Sequence, residues 1–275
     1  MEINTLKQPD HHSVPSILKR ALLLDVFKYL VVVAAVTWFM FNGTRQLGYN
    51  WQWYRVPQYI IAWVDNQPVP GPLIQGLLIT IRITAISLVL AFIFGLTSAL
   101  MRLSPSFLAR TIARGYLETI RNTPLLVQLF FIYFVLSPIL NVSGFASAVL
   151  ALSLFEGAYA SEIFRAGIVS IHRTQWEAAF SIGLNTYQAY RLIILPQALR
   201  RILPPLTNQA ISLIKDSALV STIAIYDLTM RGQTIIAETF LVFEIWFTVA
   251  AIYLTLTLVL SATVFYMEKR LRLDA

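Results

Sequence analysis

Long stretches without a charged residue are the feature that most limits what this chain can fold into. The three longest cover residues 83–101, 122–155 and 245–267. A bilayer core about 30 Å thick needs roughly 20 mostly apolar residues per helix. The stretch 122–155 is too long for one helix and contains turn signals at Pro138, Asn141 and Gly144. We therefore predict an all-α, polytopic membrane protein, with helices near residues 23–42, 73–101, 117–137, 145–169, 202–226 and 243–266.

The composition agrees with this prediction and excludes several other classes of protein. Hydrophobic residues make up 57% of the 275-residue chain and charged residues 13%, about half the charged share of a soluble domain. Disorder is excluded by the high apolar content. Because the chain has no cysteine, a secreted disulfide scaffold and a thiolate metal site are excluded as well.

The net charge of +7 is explained by membrane topology. Six helices place both termini on one side of the membrane. If that side is the cytoplasm, fifteen of the 21 lysines and arginines fall in cytoplasmic segments, and only Arg45, Arg55 and Arg231 fall on the opposite face. Basic residues are retained on the cytoplasmic side, so we predict that both termini are cytoplasmic.

The N-terminal region has two features of its own. The helix 23–42 is either a retained anchor or a cleaved signal peptide; the polar tail before it and the lack of a small-x-small pattern at residues 41–44 favour the anchor. Segment 51–65 is rich in amphipathic aromatic rings, which settle at the level of the lipid headgroups. We predict that it is an interfacial, helical segment. Its aromatic residues are Trp51, Trp53, Tyr54, Tyr59 and Trp63.

The loop between the fourth and fifth predicted helices, residues 170–200, contains structure of its own. Residues 176–182 favour a short helix, ended by Gly183 in a left-handed cap. Either Asn185 or Thr186 can cap a second short helix, which Pro196 limits at its far end. The sequence therefore predicts a compact helix–turn–helix on the cytoplasmic face.

Within this loop, the spacing Glu-Ala-Ala, three residues, Gly, nine residues, Ile-x-Leu-Pro resembles the cytoplasmic signature of permease subunits of importer-type ABC transporters. All seven fixed positions match, and the resemblance implies that they form the coupling helix that docks on a separate ATP-binding subunit. They are Glu177, Ala178, Ala179, Gly183, Ile193, Leu195 and Pro196.

Two further segments look like the permeases for polar amino acids. Residues 118–128 match the pattern E-x-x-R-x-T-P-L-L-x-Q, and residues 158–168 are similar to the fourth-helix pattern of that subfamily. The resemblance covers the chain from about residue 70 onward. It implies a five-helix importer-type permease core plus one extra N-terminal transmembrane helix. The expected domains are 1–70, with the tail, the anchor and the aromatic periplasmic segment, and 71–270, the permease domain with the coupling loop 170–200.

The chain lacks an energy source for uphill transport. None of its 11 glycines is followed by lysine, so it has no phosphate-binding G-x-x-x-x-G-K-[ST] loop. The resemblance implies that ATP and Mg bind to a partner ATPase, and that this chain binds no cofactor and is not itself an enzyme. It also implies three partners: a dimer of ATPase subunits, a second permease subunit, identical or homologous, and a periplasmic amino-acid-binding protein. The assembly is expected in the lipid bilayer of the bacterial inner membrane, and no nucleic acid is expected as a partner.

An ion-coupled secondary amino-acid transporter is the alternative from another class. In that case Glu156, Lys215 and Asp216 would relay protons or Na⁺, although the inverted repeats typical of such proteins are not evident. Metal binding is not expected, because His11, His12 and His172 have no third ligand nearby in the sequence.

Charged residues inside the predicted helices are candidates for the substrate pathway, since each costs about 2.5–3.5 kcal/mol at mid-bilayer. Glu156 lies mid-span without a basic residue within eight positions. It either receives an ammonium group of the substrate, pairs with Arg82, or hydrogen-bonds across helices. Lys215 and Asp216 are adjacent and do not face each other on a helix, so each needs a partner elsewhere. The candidate pathway residues are Glu156, Asp216, Lys215, Arg82 and Arg121.

Two pairs of charged residues have a spacing typical of structural ion pairs. Glu162 and Arg165 are three residues apart, as are Glu118 and Arg121. Residues at this spacing lie on one face of a helix. We therefore predict that each pair neutralises its own charges near the cytoplasmic boundary.

Overall fold

The computed structural model describes residues 16–46 and 48–273. The chain divides into two compact units between Trp51 and Gln52. In the first unit, α1 (Ser16–Gln46) is one continuous helix of 31 residues that contains the predicted anchor. His11 and His12, for which no metal binding is expected, lie outside the described residues.

The second unit consists almost entirely of helices, which confirms the predicted fold class. Short 3-10 segments (Trp53–Arg55 and Ser217–Ile223) and π-helical segments (Phe131–Leu136 and Tyr190–Ile194) join some of them. The α-helices are α2 (Pro57–Ile60), α3 (Pro72–Leu103), α4 (Phe107–Arg121), α5 (Leu125–Phe130), α6 (Ser137–Leu140), α7 (Gly144–Val169), α8 (Arg173–Ser181), α9 (Thr186–Ala189), α10 (Leu195–Asp216), α11 (Leu228–Thr239) and α12 (Val242–Leu273).

The aromatic segment is helical only as far as Ile60, so its predicted helix is too long. β1 (Ile61–Val64) and β2 (Gln67–Pro70) then form an antiparallel hairpin. Asp65 and Asn66 make the turn with φ of 49° and 61°, the left-handed values that a two-residue hairpin turn requires. The β-branched and aromatic residues before this turn favour a strand, a signal that the aromatic clustering obscured.

Among the described residues, three helices are long and apolar enough to cross a membrane on their own: α3, α7 and α12. The predicted helix 117–137 is broken. α4 ends at Arg121, and the helical run that begins at Leu125 is bent from it by 106°. Pro124 explains the break, because a proline disfavours the helical conformation in the residue before it.

The predicted helix 202–226 is also shorter than expected. α10 ends at Asp216 and continues as a 3-10 turn that stops at Ala224, whose φ is +57°. α10 contains Pro204 and Pro205, and it is not among the described helices that meet the length and hydropathy of a span.

α3 and α7 pack along each other at the centre of the second unit. Their contact depends on small residues: a Cβ at Gly95 would lie only 2.8 Å from the Cβ of Ala160. α7 also packs against α10, where Gly167 leaves the space that Ile202 fills. Small residues let membrane helices approach closely, so the two helices that flank the coupling loop are tightly joined.

Candidate coupling surface and substrate pathway

α8, the first helix of the coupling loop, ends in a cap that favours glycine. Gly183 has φ +83°. Its N–H donates to the carbonyl of Phe180 at 3.0 Å, and the N–H of Leu184 donates to the carbonyl of Ala179 at 3.2 Å. This pair of bonds is a Schellman cap, in which glycine accepts the left-handed conformation without strain.

α9, the second short helix, begins at Asn185, one of the two predicted caps. Asn185 Oδ1 accepts from the N–H of Gln188 at 2.9 Å, and Gln188 Oε1 accepts from the N–H of Asn185 at 3.0 Å. This is a complete capping box. The predicted end of the helix at Pro196 is wrong, because a π-helical segment leads directly into α10. Pro196 lies in the first turn of α10, where a missing N–H is tolerated.

An apolar cluster attaches the loop to the membrane helices. Ile194 is buried and packs with residues of α7 and α10, among them Phe164 and Ile202, and Trp176 of α8 packs against the same cluster. Close packing of this kind transmits displacement with little deformation. α8 and α9 are therefore expected to move together with α7 and α10.

Polar contacts hold the same junction. Gln197 Nε2 donates to Gln175 Oε1 at 3.2 Å, which joins α10 to α8. Arg201 Nη1 donates to the carbonyl of Ser170 at 2.6 Å and to its hydroxyl at 3.0 Å. These bonds tie the start of the loop to α10.

The outward face of the loop combines charge with exposed apolar side chains. Arg173 and Glu177 form an ion pair at 3.0 Å on the surface. The side chains of Ile182, Tyr187 and Leu192 are 73%, 69% and 58% exposed. Large exposed apolar side chains with a polar rim are typical of a protein interaction surface. Of the seven signature residues, Ala179 is buried, Ile193 is half-buried and the other five are exposed: Glu177, Ala178, Gly183, Leu195 and Pro196.

Glu156 lies fully buried on α7, with 1% of its surface exposed. Gln209 on α10 donates a hydrogen bond from Nε2 to one carboxylate oxygen. The other oxygen, Oε1, receives no hydrogen bond from a described residue. Of the three interpretations that the sequence left open for Glu156, the structure shows the hydrogen bond across helices.

Glu156 borders a cavity of about 210 Å³ between α3, α7 and α10. Gln209 and Thr207 add polar groups to a mostly apolar lining. The Asp216 carboxyl, at the end of α10, lies within hydrogen-bonding reach of Glu156. A mostly apolar cavity with a few convergent polar groups is the usual form of a small-molecule site.

The basic pathway candidates lie elsewhere. Arg82 is exposed and its guanidinium lies 5.6 Å from the centre of the Phe145 ring, so it does not pair with Glu156. Arg121 packs over the Tyr159 ring at 5.6 Å. Lys215 is exposed and interacts electrostatically with its neighbour Asp216. The structure thus brings together the two acidic candidates and separates them from Arg82 and Arg121.

Glu162 binds three arginines from three helices. Its Oε1 lies 3.0 Å from Arg102 of α3 and 3.4 Å from Arg121 of α4, and its Oε2 lies 3.0 Å from Arg165 one turn further along α7. The Glu162–Arg165 spacing indicated one of these contacts. The predicted Glu118–Arg121 pair is wrong for the described residues, because Arg121 reaches Glu162, and Glu118 accepts from Asn122 at 3.0 Å.

Glu162→Gln is expected to lower the free energy of unfolding by about 1–3 kcal/mol, since it leaves three arginines without a counter-charge near the membrane boundary. Removing one partner of a fully buried pair costs more; the 31% exposure of the Glu162 side chain reduces the effect through solvent screening. Thermal unfolding of the purified complex measures it. Glu238→Gln is the matched control, because Glu238 is exposed on α11, and equal shifts for the two variants would contradict the prediction.

Sequence reasoning missed two fully buried carboxylates outside the pathway. Asp227 Oδ1 accepts from the N–H of Met230 at 2.8 Å and caps α11. Glu244 Oε1 accepts from the N–H of Gln52 at 2.7 Å, which fastens the aromatic segment to α12. An acidic residue just before a helix is a cap signal that could have identified Asp227. Glu244 has no such signal, because its partner is 192 positions away.

Residues 91–273 match the family described as binding-protein-dependent transport system inner membrane component. The chain is 39% identical over 214 residues to the glutamine transport system permease protein GlnP of Escherichia coli K12, which covers 77% of this chain and 98% of that protein. It is 42% identical over 215 residues to the L-cystine transport system permease protein TcyB of Bacillus subtilis, covering 77% and 92%.

Solved structures agree with these relatives. An amino acid ABC transporter crystallised with histidines is 38% identical, with a TM-score of 0.68 over 72% of this chain and 94% of that one. The MetNI methionine ABC transporter, at 19% identity and a TM-score of 0.63, shares the fold. Permeases of this kind depend on a separate ATPase subunit and a binding protein. The chain therefore belongs to the binding-protein-dependent transport system inner membrane component family and is a permease subunit of an ABC importer.

Proposed function

We propose that this permease imports polar amino acids and that Glu156 and Asp216 receive the ammonium group of the substrate. Glu156 lines the cavity, lies close to the Asp216 carboxyl, and has one oxygen without a hydrogen bond from a described residue; this arrangement carries the proposal. Carboxylates are strong acceptors for an ammonium group, and hydrogen bonds to charged groups are the stronger ones. Glutamine and L-cystine, for which the two relatives are named, both carry an α-ammonium group.

The proposed assembly contains two permease subunits, identical or homologous, two ATPase subunits that hold ATP and Mg, and a binding protein on the outer face. The exposed side of α8 and α9 would dock on the ATPase, with Glu177 and the apolar residues around it as contacts. Closure of the ATPase dimer would move the two coupling loops together. The close packing of α7 and α10 beneath the loop supports transmission of this motion as a rigid-body displacement.

ATP-driven uptake into proteoliposomes tests this function. The complete transporter is reconstituted so that its ATPase subunits face the lumen of the vesicle. Labelled glutamine, cystine, arginine and glutamate are added outside together with the binding protein. We expect uptake of amino acids that requires ATP. Uptake that runs on an ion gradient without ATP would contradict the proposal.

Both termini and the coupling loop are proposed to lie in the cytoplasm of a bacterium and the β1–β2 hairpin outside, as the distribution of basic residues indicates. The absence of cysteine from the chain allows a clean test with single-cysteine variants. Gln67→Cys in the hairpin and Lys269→Cys near the C-terminus both replace exposed residues. We expect a membrane-impermeant maleimide to label position 67 in intact spheroplasts and position 269 only after permeabilisation. The reverse pattern would overturn the orientation.

A further inference from the structure

α4 has an apolar side and a basic side that the coupling mechanism does not use. Arg110 and Arg114 lie one turn apart and therefore share a face of the helix. Leu108 and Ile112 lie one turn apart on another face of the helix and are 67% and 55% exposed. A helix with exposed apolar residues on one side and arginines on another is typical of a membrane-surface helix.

The ion contacts of Glu162 bring the end of α3, just before α4, close to the last residue of α4. Arg102, just before α4, and Arg121, its last residue, both contact Glu162 Oε1. The chain between them therefore leaves this carboxylate and returns to it. Glu162 is eighteen residues into α7, about 27 Å along that helix, which is close to the far boundary of a bilayer core about 30 Å thick.

α4 is also too short and too charged to cross the membrane. Its 15 residues reach about 22 Å, and they include three arginines and one glutamate. The bend of 106° after Arg121 turns the chain away from the α4 axis toward the apolar segment that follows. These features place α4 along the membrane surface.

We propose that the first half of α4, residues 107–114, lies in the cytoplasmic boundary of the bilayer and binds the headgroups of anionic phospholipids through Arg110 and Arg114. Among the described residues, no carboxylate forms an ion pair with either arginine, whereas Arg102, Arg121 and Arg165 are engaged by Glu162. Leu108 and Ile112, on the other side of the helix, insert below the headgroups. Arginines at the cytoplasmic surface attract anionic lipids. The proposal rests on the cytoplasmic orientation given under Proposed function.

Depth measurements test the position of the helix. Nitroxides are attached in turn to Leu108→Cys, Thr111→Cys, Ile112→Cys and Gly115→Cys, which replace exposed residues, in the complete reconstituted transporter. We expect the accessibility of each nitroxide to oxygen to follow the period of the helix. The most deeply placed nitroxides should lie at the same depth along α4. A depth that changes steadily from position 108 to position 115 would overturn the proposal, since it would show a helix that crosses the membrane.

Lipid retention tests the chemistry. The complete transporter is purified from membranes with phosphatidylglycerol and phosphatidylethanolamine, and the retained lipids are counted by native mass spectrometry. We expect Arg110→Gln/Arg114→Gln to lower retained phosphatidylglycerol by about fivefold or more, because each arginine near an anionic surface contributes about 1 kcal/mol. Arg110→Lys/Arg114→Lys keeps both charges and is expected to retain the lipid, and added salt should weaken retention in the wild type.

Two results would overturn the lipid proposal. Equal retention in the wild type and the glutamine variant would show that the arginines do not bind the lipid. If the glutamine variant retains as much phosphatidylglycerol as the wild type but loses the ATPase during purification, Arg110 and Arg114 bind the ATPase instead. ATP-driven uptake by the wild type, measured in the same preparations, tests the proposed function separately. The cysteine labelling described above separates an error in orientation from an error in lipid binding.

Discussion

Gly183→Val is expected to uncouple ATP hydrolysis from transport. Gly183 holds φ +83° at the end of α8, and a left-handed conformation costs a residue with a Cβ about 1–2 kcal/mol, with β-branched residues the least tolerant. No atom of the described residues lies within 4 Å of the position of an added Cβ, so the effect comes from the backbone and not from crowding. A cost of this size lowers the ratio of the correctly shaped loop to other conformations by about 5–30-fold. ATPase activity with and without substrate-loaded binding protein, measured beside uptake, detects the loss of coupling.

Gly183→Asn and Gly183→Asp separate backbone shape from surface charge. Asparagine and aspartate are similar in size and both tolerate the left-handed conformation, but only aspartate adds a charge to the proposed docking face. We expect the asparagine variant to keep most of its coupling and the aspartate variant to lose it. Glu177→Lys, which reverses a charge on the same face, should behave like the aspartate variant. Normal substrate-stimulated ATPase activity in both charged variants would show that this face does not meet the ATPase.

The coupling loop was predictable because its signals are local. A glycine cap depends on the few residues before it, and the capping box of Asn185 and Gln188 lies within four positions. The end of the second helix was not predictable from Pro196. A π-helical segment takes up the change in hydrogen-bonding pattern before the proline, and no local residue type marks such a segment.

The acidic residues show where sequence reasoning stops. The spacing of Glu162 and Arg165 indicates their contact, but the same rule fails for Glu118 and Arg121, because Glu162 competes for Arg121 from 41 positions away. Glu156 could be singled out by its isolation from basic residues in the sequence. Its partners Gln209 and Asp216 could not, because packing of α10 against α7 brings them together. The hydropathy pattern also predicted one helix where the structure has the end of α4 and a separate helical run. Pro124 is uncharged, so it does not interrupt an apolar stretch.

Glu156→Gln is expected to lower the rate of transport by about tenfold or more while the complex still assembles. The substitution keeps the size of the side chain and allows the contact with Gln209 to persist, so the cavity should keep its shape. It removes the negative charge that would face the substrate ammonium. A hydrogen bond to a charged group contributes about 1.5–3 kcal/mol, and about 1.4 kcal/mol corresponds to a factor of ten. Initial rates of ATP-driven uptake, with the amount of assembled complex as the reference, measure the effect.

Glu238→Gln makes the same chemical change at an exposed position of α11 and serves as the control for the loss of one negative charge. It should transport at close to the wild-type rate. Asp216→Asn should also slow uptake, because Asp216 is the second carboxyl at the site. The effects of Glu156→Gln and Asp216→Asn on the uptake rate should be non-additive in the double variant, since neighbouring groups that act on one ligand are coupled. Wild-type uptake by Glu156→Gln would exclude a contact with the substrate and leave Glu156 as a residue that joins α7 to α10 through Gln209.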